Sequence, residues 1–234
     1  MNRRARRAAT TAVGVDAFLA GWVAVELNDG AYARAWAAGS LAVLLSDVAT
    51  DTVVGVDIPL GLLDSGWRTA DRAAARQLGP RRSSIFAVPP RPVWMAGEYA
   101  EANRLCRTLT GGGLSVQAWG LRRRVLEADA YRDDRSHELF EVHPELAFRS
   151  LAGAPLEYGK KTWHGQLRRR ALLAAAGVEI PDDLGAAGVV PPDDVLDAAV
   201  VAWCAHRIAT GVAVPVPDPP DQSDHQGRPI AIWC

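Results

Sequence analysis

A chain of 234 residues that is 49% hydrophobic and 23% charged can bury a sizeable core as one large or two small domains, and it holds no run of about 18 apolar residues to span a membrane. Three widely spaced cysteines with no CxxC argue against a disulfide framework and for a reducing compartment, with the cytoplasm as default. The net charge of -1 conceals a basic middle between acidic flanks, because residues 68–170 hold 19 of the 26 basic and 11 of the 27 acidic side chains.

Residues 1–10 read as a frayed basic tail, and Asp16 interrupts the following apolar run too early for a secretory signal. From residue 11 to residue 234 the chain is expected to form a single domain. AVGVD, residues 12–16, is a β-branched run ending in Asp, and WVAVEL returns after a turn at AFLAG, so the two predict a hairpin. Asn28-Asp29-Gly30 is a tight-turn signal before a third strand, AYARAWA. Ser40 can cap a short helix, LAVLLSDV, after which TVVGVD runs to Asp57 as a buried strand, the pattern of a crossover into parallel pairing.

Between about residues 62 and 137 no strand signal stands out. Helical patterns at TADRAAARQLG, GEYAEANRLCRTL and SVQAWGLRRRVLEADAY are separated by the Pro- and Arg-rich loop RRSSIFAVPPRPVW and by Gly111 to Gly113, which predicts an Arg-rich helical insertion. ELFEVH then alternates, with Leu139, Glu141 and His143 on one face, and Pro144 can open a helix. The basic segment KKTWHGQLRRRALLAAAG follows, then a loop, then the helix PDDVLDAAVVAWCAHR, with the Pro-rich stretch from Val214 onward expected to be irregular.

That order predicts an α/β protein with a mixed sheet: three antiparallel strands, then parallel strands with crossover helices. Ligands of such sheets gather beyond the carboxyl ends of the parallel strands. Asp16 and Asp57 both end strands there. Asp193 and Asp194 suit a helix start, but helical steps from Asp197 reach Val201, Cys204 and Ile208, so Asp197 heads an apolar stripe. A carboxylate in that position is costly unless it is paired or metal-bound. Asp16, Asp57, Asp194 and Asp197 can converge as hard oxygen ligands, which suit Mg²⁺ or Mn²⁺ in a two-metal phosphoryl-transfer site; a partner arginine would serve Asp197 as well.

The succession VGVDAFLAGW, GVDIPLGL, RTADRAAARQLG with SSIFAVPPRPV, LFEVHPELAF, GKKTWHG and DDVLDAAVVAW resembles the family called domain of unknown function 429, over roughly residues 13–210. The resemblance implies a ribonuclease H-like fold and nuclease activity, with Asp16, Asp57 and the Asp194/Asp197 pair as metal-binding acids. One departure is visible. Ribonuclease H proper carries an acid on its first helix, where this chain offers only Asp47, and resolvase-like relatives, with acids on two strands and the last helix, fit better.

Each remaining candidate keeps two readings. Glu141 could join the metal shell or pair with an arginine of the insertion. His143 could shuttle protons, or cap a helix and hydrogen-bond in the core; Glu145 suits a first-turn anion. Lys160, Lys161 and His164 could grip a phosphate or form a solvated turn. Arg168 to Arg170 cannot all face one way on a helix. Arg72, Arg76, Arg82 and Arg91 are the arginines expected to contact substrate, since a basic block fits a polyanionic partner such as nucleic acid, although it fits solvated helix faces equally. Ser83 and Ser84 have no evident base to make a nucleophile. The leading expectation is a metal-dependent nuclease. The competing ones are an actin-like small-molecule kinase, disfavoured by a turn after Asp16 that lacks Thr, Ser or an early Gly, and a non-catalytic nucleic-acid-binding module of the same fold.

Overall fold

The structure, a computed structural model, describes residues 9–134 and 136–234. The expected tail therefore lies mostly outside the described residues. Strands β1 (Thr11–Phe18), β2 (Gly21–Asn28) and β3 (Ala31–Ala38) form an antiparallel meander. Asp29 and Gly30, both with positive φ (50° and 83°), make the tight turn between β2 and β3, the conformation that a two-residue hairpin loop demands. Helix α1 (Leu41–Leu44), capped by Ser40, leads to β4 (Val53–Val56), which pairs parallel to β1. The five-stranded sheet has the order β3-β2-β1-β4-β5, with β5 (Leu139–Glu141) parallel to β4. A mixed sheet of this order with helices on its faces is the expected ribonuclease H-like α/β architecture.

Between β4 and β5 runs the helical insertion: α2 (Thr69–Leu78), α3 (Arg91–Met95), α4 (Tyr99–Thr110), α5 (Val116–Gly120) and α6 (Arg122–Asp134). Its Val93, Trp94, Ala102, Cys106, Val125 and Ala128 join Val13, Val15, Val54 and Val56 in one apolar cluster, so the insertion roofs one face of the sheet. After β5 come α7 (Pro144–Ala152), α8 (Trp163–Ala175) and α9 (Pro192–Ala209). They cover the opposite face, where Val23, Val25 and Val142 meet the buried side of α9.

Two glycines set how closely α9 lies on that face. Gly14 and Gly55 are register partners on β1 and β4. A Cβ on Gly14 would fall 2.0 Å from the Ala202 backbone nitrogen, and one on Gly55 would fall 2.9 Å from Val201 Cγ1. Side chains two apart share a strand face, so Asp16 and Asp57 point to the α9 side as these glycines do. The identical stretches VGVD at 13–16 and 54–57 thus lie side by side with the helix resting on their glycines.

Several boundaries differ from the sequence-based expectation. Strand β1 continues two residues past Asp16, because antiparallel pairing with β2 runs on to Phe18↔Gly21 after parallel pairing with β4 has stopped. The pattern SVQAWGLRRRVLEADAY divides into α5 and α6 at Leu121. The Pro-rich end is not wholly irregular: β6 (Pro215–Val216) and β7 (Ile232–Trp233) pair, and Trp233 bridges Val142 in parallel. Prolines hid that strand signal, while burial of Ile230 and Ile232 against α2 supplies the reason for the strand.

Candidate metal centre

The parallel ladder between β1 and β4 ends where the amide of Asp57 donates to the Val15 carbonyl at 2.8 Å. Asp16 and Asp57 therefore sit side by side just past the last parallel pair of β1 and β4, Val15↔Val56. Asp197, in the second turn of α9, is lowered onto them by the close approach at Gly14. Single carboxylate oxygens of Asp16, Asp57 and Asp197 all lie within 4.8 Å of one another. Asp16 and Asp197 are 5% and 1% exposed, and Asp57 opens partly to a cleft of ≈ 470 Å³ whose wall includes all three.

Their hydrogen bonding is incomplete. Asp16 Oδ1 accepts from the Ala17 amide at 2.7 Å, and Asp197 Oδ2 accepts from Lys160 Nζ at 2.5 Å. Asp16 Oδ2 and Asp197 Oδ1 are buried with no protein partner. Such orphaned oxygens are rare and point to an ion or ligand that completes them. Burial pushes the Asp57 carboxyl up to about 7 against the pull of the Lys160 ammonium. Burial does the same for Asp197, also up to about 7, again opposed by Lys160. Asp16 is raised well above the ordinary carboxylate range by burial and then by repulsion from Asp57 and Asp197. Three carboxylate donors, two of them buried, with the Lys160 ammonium bonded to one of them, fit a hard divalent cation such as Mg²⁺ or Mn²⁺.

The other expected site residues are distributed as follows. Asp194 lies a turn before Asp197, partly exposed on the cleft wall and outside the three-carboxylate group. Burial and then Asp193 raise its pKa, while Lys160 and Lys161 lower it. Glu141 does not join the group, because alternation along β5 turns it to the insertion face, like Leu139. There Arg68 binds it through two nitrogens at 2.9 and 2.6 Å, and the Leu60 amide donates to it at 2.7 Å. Of its two readings the structure holds the ion pair. Lys160 lines the cleft and Lys161 is exposed beside it. Arg72, Arg76 and Arg82 are exposed and none lines the cleft; Arg91 is turned to α6, where it grips Asp129 at 2.5 and 2.9 Å. His164 packs its ring on Tyr158, with centroids 5.2 Å apart.

Sequence reasoning missed three residues. Arg81 lines the cleft, and its Nε donates to the Leu156 carbonyl at 2.9 Å. Arg68, buried at the start of α2, bridges Glu141 and Asp71. Arg169 is fully buried between exposed Arg168 and Arg170, and pairs with Glu145. The signal available for Arg169 was the apolar face of α8, since a run of three arginines on a packed helix must turn at least one inward. His143, the N-cap residue of α7, also lines the cleft. Its Nε2 meets the Ser84 carbonyl at 3.3 Å, its buried Nδ1 is without a partner, and burial lowers its pKa.

The chain matches, over residues 14–222, the family described as protein of unknown function (DUF429). No curated protein matches it, and no solved structure does.

Proposed function

The chain belongs to the DUF429 family, and from the carboxylate site it carries we propose that it is a metal-dependent phosphodiester hydrolase acting on nucleic acid. The observation behind this reading is the set of three converging carboxylates with two buried, partnerless oxygens where the parallel pairing of β1 and β4 ends. Asp16, Asp57 and Asp197 would hold Mg²⁺ or Mn²⁺, with Asp194 at the rim. When bound, such an ion activates water and stabilises the oxygen that leaves phosphorus.

The chain's own residues supply the rest. Burial of Asp16 and Asp197 keeps bulk water off the carboxylates, which strengthens their hold on a cation. Lys160 and Arg81 place positive charge on the cleft wall, where a phosphate oxygen would lie, and exposed Arg82 and Lys161 follow them in the chain. Exposed Arg72 and Arg76, one turn apart on α2, would meet backbone phosphates farther along a strand. Contacts of this kind give affinity without base specificity.

The test is cleavage of labelled single-stranded and duplex DNA and RNA. Cleavage that requires Mg²⁺ or Mn²⁺, stops with chelator and is lost in Asp57→Asn is the expected result. Failure on all four substrates by a folded, metal-loaded protein would overturn the reading.

A further inference from the structure

We propose that the Lys160 ammonium stands in for a second cation, so that the carboxylate cluster binds a single divalent ion. The inference rests on the metal-dependent reading above and narrows it, since a carboxylate site for phosphoryl transfer also admits two ions about 3.5–4 Å apart.

Supply of ligands is the first ground. Among the described residues Asp16, Asp57 and Asp197 are the only group of three or more potential ligands whose atoms lie within 4.8 Å of one another. Glu141, the next carboxylate along the sheet, is held by Arg68 and the Leu60 amide on the other face. Asp197 Oδ2 is already bonded to Lys160 at 2.5 Å, which leaves Asp16 Oδ2 and Asp197 Oδ1 as the buried oxygens without a partner.

Charge is the second ground. Three carboxylates are balanced by one ammonium and one divalent ion together. A further divalent ion would bury an excess of positive charge, because the other acids on the cleft wall, Asp71, Glu141 and Glu145, are already paired with Arg68 or Arg169 and Asp194 lies at the rim; uncompensated buried charge is strongly unfavourable. The same ammonium acts electrostatically on Asp16, Asp57, Asp194 and Asp197, which is the reach expected of a cation seated among them.

The third ground is that this lysine is placed rather than merely near. Its loop is tied down on both sides. Arg81 from the insertion donates to the carbonyls of Leu156 and Glu157, and buried Arg169 donates to the Tyr158 carbonyl at 3.0 Å. Beyond the lysine, Thr162 caps α8 by accepting from the Gly165 amide at 3.0 Å. Gly165 lies so close to the Gly159 carbonyl that a Cβ there would come within 1.9 Å of its oxygen. These anchors hold the Lys160 backbone beside the cluster. They also give the segment GKKTWHG, glycines included, a purpose.

The experiment is Mn²⁺ titration of the full chain by calorimetry, with electron paramagnetic resonance to detect paired ions. The wild type is expected to bind one ion with no coupled-pair signal. Lys160→Ala is expected to bind two, and Lys160→Arg, which keeps the charge, one. Should Lys160→Ala fail to fold, Lys160→Gln removes the charge with less loss of volume and serves the same purpose. Two ions in the wild type, or one ion in a folded Lys160→Ala or Lys160→Gln protein, overturns the inference and leaves the metal-dependent reading standing. No ion in the wild type overturns both.

Discussion

The sheet buries two clusters of charge, one against each face, and they are composed differently. On the insertion side Arg68 lies between Glu141 and Asp71, and the Leu60 and Val88 amides donate to the same two carboxylates, so that cluster is closed. On the α9 side Asp16, Asp57 and Asp197 share the single ammonium of Lys160, and two of their oxygens have no partner. The first cluster fastens the start of α2 to the end of β5 and needs nothing more. In the second, folding leaves the repulsion among the carboxylates unrelieved, and the proposed function draws its affinity for a cation from that. Buried charge alone therefore does not mark a site; what marks it is buried charge whose partners are missing.

Substitutions should separate the two clusters by sign. Arg68→Ala leaves two buried carboxylates uncompensated and should cost about 3–5 kcal/mol, read as a lower denaturation midpoint. Asp57→Asn should do the reverse in the metal-free protein, raising its thermal midpoint at pH 8, while lowering metal-dependent cleavage at least ~100-fold, or about 2.7 kcal/mol. Equal destabilisation by both changes would erase the distinction.

Gly14→Ala tests how the open cluster is assembled. The added methyl would meet the backbone of α9 and should cost about 1–3 kcal/mol in chemical denaturation, with weaker metal binding because Asp197 is displaced. An effect confined to stability would separate the glycine from the site.

A pH dependence should also follow from the open cluster. Asp57 and Asp197 have folded pKa values raised to about 7, above their unfolded values. The stability this confers is fully present below the unfolded pKa and is lost as pH rises through about 7. The metal-free protein should accordingly melt several degrees lower at pH 8 than at pH 5, each kcal/mol shifting the midpoint of a chain this size by about 2–4 °C. Mg²⁺ should restore the loss at pH 8, and Asp57→Asn should make the profile shallower, with Asp16 and Asp197 still contributing to it. The smallest effect belongs to the exposed face of α2. Arg72→Ala with Arg76→Ala should change stability by less than about 0.5 kcal/mol per site, yet weaken nucleic-acid binding and reduce its salt dependence by about one unit of slope per arginine.

The sequence exposed the open cluster better than the closed one. Asp16 and Asp57 end β-branched runs, and Asp197 breaks an apolar helical stripe, so each carboxylate is locally anomalous and can be seen without a partner. Their counter-ion could not be seen that way: Lys160 sits 37 residues before Asp197 in an irregular segment. Its placement depends on Arg81 and Arg169, which reach it only in the fold. Arg68 was equally hidden, because a cation ahead of a helix reads as solvated until the alternation of β5 is known to bring Glu141 above it. The antiparallel meander and the crossover to β4 were legible from turn chemistry and runs of valine. Strands β6 and β7 were not, since they are two residues each and framed by prolines.

The most direct test of the central claim is calorimetric Mn²⁺ binding at pH 7.5 by the wild type and by Asp57→Asn, with both shown to be folded. Saturable binding with proton release in the wild type, lost in the variant, is the predicted result. No binding by the wild type, or equal binding by the two proteins, would contradict it.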